Sequence, residues 1–436
     1  MQPEGSPVAP EAAGEGPENG GTAASVEPVS ETHLMNTYRR PPQVFVRGRG
    51  CYLYESRGRR YLDFITGIGV NALGYSHPRL VRVMKREAAR AVHVSNLYHH
   101  PFQAPLAAKL AAWSGLDRVF FTNSGSESID GALKLARARG REINERKTRI
   151  LALESSFHGR TFGALSITAP AEYREPFEPL VPGSEFVRFD DTADLEAKFG
   201  DDVCAIVIEP VQGEGGIHPV SEAFWRRARE LATQHRALLI ADEIQAGLGR
   251  TGRYFAFQRH EGKPDVVTVA KPLAGGLPLG AFLANEEAAA ALVPGMHGST
   301  FGGGPLACAV ALEVLATIEE EKLLDNVQRR GAEIREGLEL LASRAGFVRE
   351  VRGEGLMLAM ELEVEGGPYV ERARERGLLI NCTHKRVLRF LPPFIVEERH
   401  VAEFLKKMKR VLARKPGRVA ASEAKAATTP QDGARA

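Results

Sequence analysis

The feature that most constrains this chain is a series of short apolar runs through its middle, separated by amphipathic stretches. The runs fall at residues 118–122, 149–153, 186–189, 205–208, 237–241, 266–270 and 281–284. Several are apolar at consecutive positions rather than at alternate ones. A strand buried on one face alternates, whereas a strand covered on both faces does not. The stretches between them, such as 127–139 and 222–235, carry helical spacing. Strands and helices in this rhythm predict an α/β fold, a mainly parallel sheet clothed by helices. With 436 residues, 43% of them hydrophobic, the chain can bury such a core, and its length favours more than one domain.

From Pro305 the rhythm changes. A long helical stretch, 307–320 and 322–345, leads to runs at 348–363, 378–382 and 387–391 that read as strands, and an amphipathic helix covers 397–412. This predicts a smaller α+β domain over 305–413. Residues 31–75 lack the βα rhythm, carry strand signals near 44–46 and 52–55, and are expected to join it. Residues 76–304 are then the large domain. The ends, 1–30 and 414–436, are rich in Ala, Pro, Gly and charged residues without periodicity and are expected to be disordered.

Composition excludes several functions. A net charge of +2 gives no basic field for nucleic acid. No apolar run approaches the roughly 20 residues that span a bilayer. The first thirty residues lack the basic and apolar regions of a signal peptide. Cys51, Cys204, Cys308 and Cys382 are far apart and form no CxxC pair, which argues against a zinc site and for a reduced, cytoplasmic setting.

In an open α/β sheet, ligands gather beyond the carboxyl ends of the strands. Here those ends carry a consistent set of polar residues. After 118–122 come Gly125 and Ser126 at the start of a helix, where free backbone N–H groups and a hydroxyl suit an anion. After 149–153 come Phe157, able to stack on a flat ring, and Arg160, able to bind a carboxylate. After 205–208 a glycine-rich loop carries Glu209 and Glu214. Asp242 and Gln245 follow the next run, and Lys271 follows the one after that. A lysine at such a position can hold an aldehyde covalently. The carboxylate can keep a pyridine nitrogen protonated, and Gln245 can donate to a phenolate oxygen. Together these parts suit pyridoxal 5′-phosphate. Thr300, in a glycine-rich turn, can bind phosphate as well. The stretch Gly247–Gly252 fits the GxGxxG pattern, but apolar Tyr254–Phe257 follows instead of a helix, so it is not read as a dinucleotide site.

The run Asp242-Glu243-Ile244-Gln245-Ala246-Gly247-Leu248-Gly249-Arg250-Thr251-Gly252, followed by Lys271, resembles the class III aminotransferases of pyridoxal-phosphate fold type I. The likeness extends from about residue 34 to 412. Within that class the chain is most similar to the acetylornithine aminotransferases, through Leu34–Tyr38, Gly67–Gly74, Val94–His99 and Leu378–Asn381. The resemblance implies a fold with a large mainly parallel domain and a smaller α+β domain. It implies that Lys271 carries the cofactor and shuttles a proton, Asp242 faces the ring nitrogen and Gln245 the O3′ atom. Gly125 and Ser126 would hold the phosphate, and Phe157 would stack on the ring. Thr300 would reach the phosphate of a second subunit, giving a homodimer with shared active sites. Arg389 would bind the α-carboxylate of glutamate, with Glu214 as its partner when an ornithine-like amine is the donor. Arg160, with Tyr38, would then bind that donor's carboxylate. The implied reaction moves the terminal amine of N2-acetylornithine to 2-oxoglutarate. Succinylornithine, ornithine, 4-aminobutyrate and carrier-linked aminoadipate semialdehyde use the same residue set. A cofactor-binding regulator without turnover would not need the Glu214–Arg389 pair.

Overall fold

The computed structural model describes residues 33–413, so the expectations for 1–30 and 414–436 lie outside the described residues. The central sheet is built from β1 (Arg118–Thr122), β2 (Arg149–Leu153), β3 (Ser184–Val187), β4 (Val203–Ile208), β5 (Leu238–Asp242), β6 (Val266–Val269) and β7 (Gly280–Ala284). Their order across the sheet is β1-β7-β6-β5-β4-β2-β3. Only β7 runs against the rest, pairing antiparallel with both β6 and β1. The expected mainly parallel sheet is therefore present. Every residue of β4, β5 and β6 is buried, as strands apolar at all positions but Thr268 and the terminal Asp242 require. Fully burying each Val, Leu or Ile of these strands contributes about 1.5–3 kcal/mol.

The third strand lies at 184–187 rather than 186–189. Its parallel register against β2, with Ile150 opposite Ser184 and Leu153 opposite Val187, fixes where it begins and ends. Helix α1 (Gly125–Ile143) is capped by Ser124, whose side chain accepts the Glu127 N–H. It crosses the sheet closely because it carries glycine where bulk would clash: a Cβ at Gly131 would lie 2.3 Å from the Phe282 ring.

The second part of the molecule holds helix α2 (Pro305–Glu320), helix α3 (Leu323–Ala342) and a four-stranded antiparallel sheet. Its strands are β8 (Val348–Glu354), β9 (Met357–Leu362), β10 (Asn381–Thr383) and β11 (Val387–Phe390), in the order β8-β9-β11-β10. The run at 348–363, read above as one strand, is a hairpin. Gly355 turns it with φ +53°, against the backbone of Arg250 and Thr251. In the N-terminal segment, strands Phe45–Arg49 and Tyr52–Glu55 are joined by a third, Arg60–Asp63, which the sequence reading missed. Arg60–Asp63 pairs in parallel with Leu378–Leu379, near the other end of the chain. Among the described residues, no helix is long and apolar enough to cross a membrane.

Candidate active site

The six parallel strands point their carboxyl ends one way, and the loops beyond five of them converge. β5 ends on Asp242, and its register sets Asp242 beside Thr268 of β6. One Asp242 oxygen accepts the Ile244 N–H at 3.0 Å and the Thr268 hydroxyl at 3.3 Å; the other lies 2.6 Å from His158 Nδ1. Both side chains are buried. Burial opposes the charged imidazolium, but the hydrogen bond and charge of Asp242 outweigh it and raise the His158 pKa above its ordinary value.

Lys271 stands just past β6. Its Nζ makes no hydrogen bond or ion pair among the described residues. Burial pulls its ammonium below the ordinary lysine value; Glu214 and Asp242 oppose this shift and Arg389 adds to it. Such an amine reaches its nucleophilic neutral form more easily than a solvated lysine.

Glu214 and Arg389 meet at 2.6 Å. Arg389 lies on the inner strand β11, opposite both Ala359 and Asn381, and its side chain is fully buried. Its Nε donates to Asn381 Oδ1 at 3.2 Å and its Nη1 to Gln245 Oε1 at 3.2 Å, while Nη2 has no partner among the described residues. Burial raises the Glu214 carboxyl, but the Arg389 guanidinium more than reverses this and holds it below the usual range. The loop bearing Glu214 is pinned from the second sheet: the Thr383 hydroxyl donates to Glu214 O, and Arg352 donates twice to Gly216 O.

The chain is similar to known proteins over most of its length. The family model for aminotransferase class III covers residues 34–412. The acetylornithine aminotransferase of Aquifex aeolicus is 45% identical over 383 residues, which is 87% of this chain and all of that protein. The enzyme of the same name from Methanocaldococcus jannaschii is 45% identical over 86% of this chain and 94% of its own length. Among solved structures, the ornithine aminotransferase of Toxoplasma gondii superimposes with a TM-score of 0.85 at 33% identity, covering 88% of this chain and 92% of that one.

The chain belongs to the class III aminotransferases. It is a transaminase, and its cofactor is pyridoxal 5′-phosphate.

The residues of this class III aminotransferase fit that cofactor. A cavity of about 320 Å³ is lined by Gly125, Ser126, Phe157, Glu214, Asp242, Gln245 and Lys271, with His158 and Glu209 beside them. It is at the small end of the range for ligand sites. The α1 N-terminus opens into it, and Gly159 lets the chain pass close by: a Cβ there would lie 2.3 Å from Ser126 Oγ. The Asp242 carboxylate presents a negative charge suited to a protonated ring nitrogen.

Arg160, Tyr38 and Thr300 do not line this cavity. Arg160 is exposed at its edge, stacked on aromatic rings, with its backbone N–H donated to Ser126 Oγ at 3.2 Å. Tyr38 is on the surface, and the Arg40 guanidinium lies 5.2 Å from the centre of its ring. Thr300 lines a separate cavity with Leu97 and Phe121.

Two buried residues of the site received no specific role from sequence. His158 sits in a loop whose sequence singled out its neighbours Phe157 and Arg160. Glu209 was noted only as one of two carboxylates on a glycine-rich loop. It is buried and accepts the Phe157 N–H at 3.2 Å and the Gly213 N–H at 3.0 Å, which ties the Phe157 loop to the Glu214 loop. Burial pushes its carboxyl up to about 7. Its position directly after β4 was the available signal.

Proposed function

We propose that the chain transfers the terminal amine of N2-acetylornithine to 2-oxoglutarate, giving N-acetylglutamate 5-semialdehyde and glutamate, a step of arginine biosynthesis. The observation that carries this reading is the Glu214–Arg389 pair beside Lys271. A transaminase must accept two different substrates in one site. Glutamate presents an α-carboxylate next to the reacting carbon, and a free Arg389 binds it as a fork. N2-acetylornithine presents an uncharged methylene chain there, and Glu214 then keeps the buried guanidinium paired. The names of the relatives support the choice of donor.

Bound pyridoxal phosphate supplies an aldehyde and a ring that withdraws electrons from the reacting carbon. The chain supplies the rest. Lys271 would hold the aldehyde, and its Nζ would move the proton from the donor's terminal carbon. Asp242 would keep the ring nitrogen protonated, and His158 and Thr268 hold that carboxylate in line. Gly125 and Ser126 would take the phosphate, Phe157 would cover the ring and Gln245 would meet O3′. Arg160, with Tyr38, would bind the carboxylate of acetylornithine.

The reading includes a homodimer in which Thr300 completes the partner's phosphate site. Exposed Leu97, Tyr98 and Phe301 near Thr300 form the kind of apolar surface that a second copy covers. It also includes the division into a large domain, 76–304, and a small one, 305–413 joined by 31–75. A cytoplasmic location agrees with the four free cysteines. The test is transfer to 2-oxoglutarate from N2-acetylornithine, N2-succinylornithine, ornithine and 4-aminobutyrate. N2-acetylornithine is expected to have the highest kcat/KM, and a leading rate with another amine would reassign the donor.

A further inference from the structure

We propose that Tyr173 is a positioning residue that sets recognition of the donor's carboxylate by holding Arg160 in place. This rests on the reading of Arg160 as the carboxylate receptor. The guanidinium carbon of Arg160 lies 3.8 Å from the centre of the Tyr173 ring and 5.6 Å from that of Phe157. The two rings are nearly perpendicular, 87° apart with centres 6.1 Å from each other. Arg160 thus sits in a corner whose walls are ring faces. Phe157, one of these walls, also lines the cavity that contains Lys271. A carboxylate received by Arg160 is therefore held at the cavity's edge.

The way Arg160 is held differs from that of a structural arginine. Arg352 spends its N–H groups on Gly216 O, Glu350 and Glu361. The Arg160 side chain spends none, and no carboxylate faces it among the described residues. A guanidinium stacked on a ring uses its face and keeps its edge of N–H donors open. Stacking therefore orients the side chain without neutralising it. At the other end, the bond from Arg160 N to Ser126 Oγ fixes the backbone. Tyr173 belongs to a short helix, Ala171–Arg174, and among the described residues its hydroxyl makes no hydrogen bond, so its contribution is the ring.

The test compares Tyr173→Leu and Tyr173→Phe in the holoenzyme with two donors. These are N2-acetylornithine and N-acetyl-1,4-diaminobutane, which is the same molecule without the carboxylate. Losing the stack should raise KM for N2-acetylornithine about three- to tenfold, with kcat within about twofold, while Tyr173→Phe behaves as wild type. With N-acetyl-1,4-diaminobutane all three proteins should perform alike. Calorimetry with N2-acetylnorvaline, which keeps the carboxylate and lacks the reacting amine, should give the same several-fold rise in Kd for Tyr173→Leu alone. Equal losses with both donors would overturn the proposal, since Tyr173 would then act through Phe157 and the cavity wall. An active wild type with an indifferent Tyr173→Leu would overturn it too and leave the donor assignment standing. A wild type that neither turns over nor binds these carboxylates would sink both.

Discussion

Removing the carboxylate of Glu214 is the most direct perturbation of the two-substrate site. In the resting protein Glu214 and Arg389 are 2.6 Å apart, with Arg389 fully buried and the Glu214 side chain 28% exposed. Breaking a buried pair by removing one partner costs about 3–5 kcal/mol. Here the figure is smaller, because Gln245 and Asn381 still accept hydrogen bonds from Arg389 and solvent screens part of Glu214. About 2–3 kcal/mol is a reasonable value for the pair. In Glu214→Ala that loss is already present before substrate binds, so it largely cancels from the reaction of N2-acetylornithine. It does not cancel for glutamate, which no longer has to break the pair to reach Arg389. The ratio of kcat/KM for glutamate to that for N2-acetylornithine should therefore rise about 30- to 150-fold. Acetylornithine should also slow in absolute terms, because a free Arg389 captures its carboxylate in an unproductive orientation. Stopped-flow absorbance of each half-reaction measures both rates. An unchanged ratio, with both halves slowed alike, would refute the switch and make Glu214 a loop residue.

Three further outcomes are expected. Lys271→Ala should abolish turnover, and borohydride should fix the cofactor to wild type only at Lys271, as peptide mapping would reveal. Asp242→Asn should retain cofactor absorbance but lose single-turnover rate by on the order of 3 kcal/mol of barrier or more, since an amide cannot keep the ring nitrogen protonated; a near-normal rate would rule the role out. Glu209→Gln leaves one acceptor oxygen for two backbone N–H groups, so thermal unfolding should show a loss of about 1–3 kcal/mol, and no loss would mean that the two loops are tied elsewhere.

The sequence made the sheet readable because β4, β5 and β6 are buried on both faces and so carry nearly continuous apolar runs. Their ends were readable because ligands in such sheets sit where Asp242 and Lys271 fall. What escaped depended on partners distant in sequence. The strand Arg60–Asp63 is defined partly by Leu378–Leu379, and the position of β3 by its register on β2. The hairpin at 348–363 turns at Gly355, where the backbone of Arg250 and Thr251 leaves no room for a side chain, and nothing adjacent in sequence announces that neighbour. His158 was hidden for a similar reason. A histidine in a loop gains meaning only from Asp242, which folding brings within 2.6 Å. Tyr38 and Thr300 lie away from the cavity, a separation that nothing adjacent to them in sequence marks.

The pairing of Arg60–Asp63 with Leu378–Leu379 also sets a timetable for synthesis. The edge that Leu378–Leu379 covers leaves the ribosome about 300 residues before its partner does. At about 5–20 residues per second, that edge waits on the order of 15–60 s. During this interval the backbone of Arg60–Asp63 is an open strand edge, and Leu62 and Phe64, both fully buried in the finished fold, lack part of their cover. An unpaired apolar edge is a template for association with other chains. The nascent protein therefore keeps this edge open to association until nearly the whole chain has been made.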